Sequence, residues 1–168
     1  MSGIAARLDA LPDTEASRAL TRSCGSTAWV EAMLARRPFG TDERLYQVAD
    51  EVWRSLAPED WLEAFGHHPR IGERRSEAAA GTADWASEEQ AGTAEAAAVT
   101  LQALADGNRA YEERFGHVFL ICATGLSAGT MLTELQARLG NSAEDELRIA
   151  AAEQAKITRL RLEKLGTE

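Results

Sequence analysis

The spacing of apolar and polar positions is clearest toward the carboxy-terminal end. At 100° per residue from Leu147, the residues Ile157, Ala150, Gln154, Leu165 and Ala151 share one face of a helix. That helix opens at the Ser142/Asp145 pair and runs to Leu165, a length of about 34 Å. Arg161 lands at about -40°, inside the apolar arc, whereas Arg159 at about 120° joins Arg148 and Glu163 in a polar stripe. The spacing therefore predicts an inward guanidinium, which must meet a buried carboxylate or an anionic ligand, or else snorkel to the rim.

Other elements are marked by their caps. Thr41, Asp42 and Glu43 open a helix to about Ser55, and Pro58, Glu59 and Asp60 open a short one that carries Trp61 and Leu62 and ends near Gly66. Ser87 with Gln90 forms a capping box for an Ala-rich helix from Ala91 to Ala105, which Gly107 is expected to stop. Further helices are predicted over Asp13 to Ser23, Thr27 to Arg36, Asn108 to Arg114 and Ser127 to Leu139. Two stretches lack a helical period. Phe65 to about Asp84 reads as a long loop, and the apolar run Val118 to Cys122, between Gly116 and Gly125, fits either a buried extended segment or a buried helix start.

Composition narrows the class. The 168 residues include 32 Ala and 18 Leu but only 10 Val plus Ile, which favours helix over sheet, so an all-α single domain of about seven to nine helices is expected. The excess of 27 acidic over 18 basic residues, a formal charge of -9, disfavours nucleic acid. No apolar run has the length of a membrane span or signal peptide, so the expectation is a soluble, cytoplasmic protein without a membrane partner. Cys24 and Cys122 are far apart and fit free thiols in a reducing compartment.

Few residues offer chemistry. His68 precedes Pro69, which holds it extended at a helix end, where it suits either a solvated turn or a general acid or base. Adjacent His67 would point away, and neither a His-x-x-x-His nor a Cys-x-x-Cys pair completes a metal site. Glu88 and Glu89 follow Ser87 in a first helical turn, where interaction with the helix dipole is sufficient to account for them. Without further information, a non-catalytic helical module that docks a partner through the His-Pro loop is a competing reading.

Four motifs in order change that balance. His68-Pro69-Arg70-Ile71-Gly72, then Trp85 with Glu89-Gln90-Ala91-Gly92, then Asn108 and Tyr111 leading to Phe115-Gly116-His117-Val118-Phe119, and finally Glu153-Gln154 with Lys156-Ile157 and Leu160-Arg161-Leu162, resemble the bacterial OHCU decarboxylases. These enzymes act on 2-oxo-4-hydroxy-4-carboxy-5-ureidoimidazoline (OHCU) in urate degradation. The resemblance implies an all-helical, cofactor-free and metal-free homodimer that releases CO2 to give (S)-allantoin. By the same resemblance His68 and Glu89 are catalytic. Arg161 binds substrate, together with Pro69 and with backbone groups of Phe119, Leu120 and Ile121. Where the family usually has Ser, this chain has Ala86, and Ser87 is the candidate to supply that hydroxyl.

Overall fold

The computed structural model describes residues 3–71 and 98–168, and among these it contains helices and connecting loops but no strand. The helices are α1 (Ile4–Ala10), α2 (Asp13–Ser23), α3 (Thr27–Ala35), α4 (Asp42–Ser55), α5 (Pro58–Phe65), α6 (Ala98–Phe115), α7 (Ala128–Arg138) and α8 (Ala143–Leu165). Their starts follow the sequence signals. The Thr41 side chain accepts from the Arg44 N–H at 3.1 Å, and Ser127 and Ser142 do the same for Thr130 and Asp145. Each bond satisfies one of the amide donors that a helix start leaves open. The capping pair Ser87/Gln90 lies outside the described residues.

Two compact units are present, the first formed by residues 1–64 and 155–168 and the second by 65–154. In the first, α1 packs on α2 and α4, and α3 on α2 and α4. Its core includes Leu20, Trp29, Met33, Leu45 and Leu162, and the Trp29 indole donates to the Ala49 carbonyl at 3.2 Å. Carboxylates fasten its loops. Asp42 accepts from the Ala5 N–H, Asp9 accepts from Phe39 and Gly40, and Glu63 accepts both the N–H and the hydroxyl of Thr27 at 2.8 Å. Helix α1, built on buried Ile4, Ala5 and Leu8, was not anticipated from the sequence.

The second unit is centred on α6 against α7, with Leu104, Tyr111, Phe119, Met131 and Leu135 in its core. Here one expectation fails. Gly107 does not stop a helix, and Asn108 to Arg114 is not a separate one, because α6 runs unbroken from Ala98 to Phe115. The glycine serves packing instead. A Cβ at position 107 would lie 2.4 Å from Leu135 Cδ2, so any side chain there would force the buried Leu135 side chain of α7 to shift. The true stop is Gly116, at φ +80°, whose N–H returns to the Glu112 carbonyl at 2.8 Å. Beyond it, 118–123 is neither helix nor strand. The apolar run thus resolves as a buried irregular segment.

Candidate active site

Local sequence sets the position of His68. Helix α5 ends at Phe65, the chain turns so that the His68 N–H donates to the Phe65 carbonyl at 3.1 Å, and Pro69 prevents any helical continuation. The imidazole is half-buried, and its Nε2 lies 2.6 Å from Oε1 of Gln154, a fully buried side chain of α8. His67 is exposed. Next along the chain, Arg70 pairs with Glu112 of α6 at 2.7 Å, and the Ile71 carbonyl accepts from Asn108 Nδ2 at 3.3 Å. The His-Pro segment is thereby tied to other parts of the second unit at three positions, His68, Arg70 and Ile71.

The predicted run Phe119, Leu120 and Ile121 is buried, and side chains from two helices hold its backbone. Arg138, the last residue of α7, donates from Nη1 to the Leu120 carbonyl at 2.7 Å and from Nε to the Glu146 carboxylate at 2.5 Å. Its guanidinium carbon lies 4.6 Å from the Phe119 ring centroid and 5.9 Å from that of Tyr111. Glu146 is fully buried yet well supplied with donors, for it also accepts from the Tyr111 hydroxyl at 2.7 Å and Asn141 Nδ2 at 3.0 Å. Burial and the bond to Glu146 push the Tyr111 phenol above its ordinary range, so it stays a donor. From α8, the Glu153 carboxylate accepts the Cys122 N–H at 3.1 Å. A segment with no ladder of its own is fixed by a charge pair and a carboxylate.

Arg161 belongs to the first unit. It is 4% exposed, as the helical wheel required, whereas Arg159 is exposed, bonds Glu163 at 2.9 Å and covers the Tyr46 ring. Cys24 lies within electrostatic reach of Arg161 and takes hydrogen bonds from Ser26 and Thr158, but burial outweighs these and raises its thiol pKa from 9.0 to about 12. Burial keeps this thiol protonated and poorly reactive, and neither Cys24 nor Cys122 is in a disulfide. Glu89 and Ser87 lie outside the described residues. Among the described residues no group of three His, Cys, Asp or Glu side chains is arranged to hold a metal ion, and no helix is long and apolar enough to cross a membrane.

Sequence reasoning missed the Arg138–Glu146–Tyr111 network, although a signal existed. Ala128, Met131, Leu135 and Arg138 recur at the three- and four-residue steps of a buried helix face, which puts Arg138 inward by the same logic as Arg161.

A family model described as OHCU decarboxylase matches residues 9–163. The chain is 39% identical over 149 residues to the uric acid degradation bifunctional protein TTL of Arabidopsis thaliana, covering 86% of this chain and 45% of that protein. It therefore spans less than half of that relative's length. A crystal structure of OHCU decarboxylase in the presence of (S)-allantoin matches with a TM-score of 0.78 and 36% identity, over 90% of this chain and 99% of that one. An (S)-allantoin synthase structure matches with a TM-score of 0.72 over 96% of this chain and 53% of that one, a likeness of fold at 18% identity.

Proposed function

Because the chain belongs to the OHCU decarboxylase family, we propose that it converts OHCU to (S)-allantoin with release of CO2, as a cofactor-independent carboxy-lyase of urate degradation. The observation that carries this reading is the family match over residues 9–163, which also supports treating the chain as one family domain. In the reaction the ring carbon–carboxylate bond breaks, CO2 departs, and the electron pair left on the ring must be met by a proton on one face to give a chiral product. His68 is the group for that proton, since an imidazole exchanges protons near neutrality. Arg161 offers a forked set of donors for an anionic or carbonyl oxygen of the substrate. Glu89 suits the ureido N–H groups or the orientation of His68, and Ser87 supplies a hydroxyl. Pro69 shapes the contact beside His68, and backbone groups of Phe119, Leu120 and Ile121 meet the polar edge of the substrate. A cytoplasmic homodimer is the assembly that goes with this reading.

The test is product chirality. Freshly oxidised urate, hydrolysed to OHCU and mixed with the protein without added cofactor, should give optically active (S)-allantoin by circular dichroism. Racemic allantoin formed at the uncatalysed rate would refute the decarboxylase reading. His68→Gln should lose at least ~100-fold in rate with helicity intact, and His67→Gln much less.

A further inference from the structure

We infer that Gln154 is a positioning residue that fixes His68 in the tautomer with its proton on Nε2, leaving the basic lone pair on Nδ1. The inference rests on the proposed role of His68 for its catalytic meaning, though not for the tautomer itself. Gln154 Oε1 and His68 Nε2 are 2.6 Å apart, and Gln154 is 0% exposed. A buried amide oxygen only accepts, so a ring nitrogen at that distance is the donor. A neutral imidazole has one N–H, and the bond made at one nitrogen decides which nitrogen keeps the lone pair.

The sequence around Gln154 sharpens this. Its neighbour Glu153 directs its carboxylate to the Cys122 N–H at 3.1 Å, so that one turn of α8 gives the acid to the loop and the neutral amide to the ring. A carboxylate in the place of the amide would favour imidazolium. An amide orients the ring without adding a charge. The His68 N–H bond to the Phe65 carbonyl fixes the backbone, so the residue is held both at its main chain and at the far tip of its ring.

Long-range ¹H–¹⁵N correlation spectra of the ¹⁵N-labelled full chain, recorded above the titration of His68, read the tautomer directly. The His68 signals are assigned by their loss in His68→Gln. A protonated Nε2 with a pyridine-type Nδ1 is expected, and the reverse pattern would overturn the inference. Gln154→Met keeps the length and removes the acceptor. It should mix the tautomers and lower kcat on the order of 10-fold or more with KM little changed. Gln154→Glu retains an acceptor and should retain the Nε2 proton. A Gln154→Met protein with unchanged tautomer and unchanged kcat would overturn the inference, and if that variant does not fold, the wild-type and Gln154→Glu spectra decide it. Full activity in His68→Gln would instead refute the catalytic reading, which separates the two failures.

Discussion

Replacing Arg138 by Met tests whether a charge pair holds the buried run in place. The substitution keeps most of the side chain's apolar bulk but removes the donors to the Leu120 carbonyl and to Glu146, leaving a fully buried carboxylate with Tyr111 and Asn141 as its side-chain donors among the described residues. Removing one member of a buried pair costs about 3–5 kcal/mol, because the other charge stays desolvated. For a chain of 168 residues each kcal/mol lowers Tm by about 2–4 °C, so a fall of about 6–20 °C is expected. Adding Glu146→Gln removes the stranded charge, and the double variant should recover on the order of 1–3 kcal/mol relative to Arg138→Met alone. Urea unfolding followed by far-UV circular dichroism gives the four free energies of the cycle. A single-variant loss under about 1 kcal/mol, or a double variant no more stable than Arg138→Met, would refute the reasoning and make the network ordinary packing.

Two further outcomes are expected. Arg161→Lys should weaken binding of (S)-allantoin, measured by calorimetry, while Tm hardly moves and Arg159→Lys changes neither; a lower Tm with normal affinity would make Arg161 a structural ion-pair residue. For Cys24, the folded state keeps the thiol proton up to about pH 12 whereas the unfolded chain releases it near 9.0, so its contribution to stability is present below pH 9 and is lost as pH rises through that window. Cys24→Ala should flatten this alkaline decline in unfolding experiments, and a thiol reagent applied to the native protein at pH 8 should modify Cys122 and spare Cys24.

Legibility followed the range of the interaction. Helix starts at Thr41, Pro58 and Ser127 depend on residues within four positions, and the chain carries them openly. Arg161 was placed inward by periodicity alone, and it is buried. Gly107 looks like a helix stop in the sequence because the residue it faces, Leu135, lies on another helix, and a glycine that ends a helix is the same letter as one that admits a neighbour. The run Val118 to Cys122 fits two conformations by its own letters because its backbone is held by Arg138 and Glu153, far along the chain. His68 stood out through the proline after it, while its partner Gln154 showed only as one more inward residue of a long helix. Roles came from the resemblance of four motifs, not from spacing.

The run from Phe119 to Cys122 takes its shape from elsewhere. A strand is copied from the strand beside it, but this segment is specified by a guanidinium and a carboxylate on two helices. Heritable change should therefore be uneven here. Exchanges among apolar residues within the run leave its peptide groups where they are, whereas drift at 111, 138 or 146 must be compensated within that trio. Anyone redesigning what the peptide groups present would gain more from moving the two clamps than from rewriting the run.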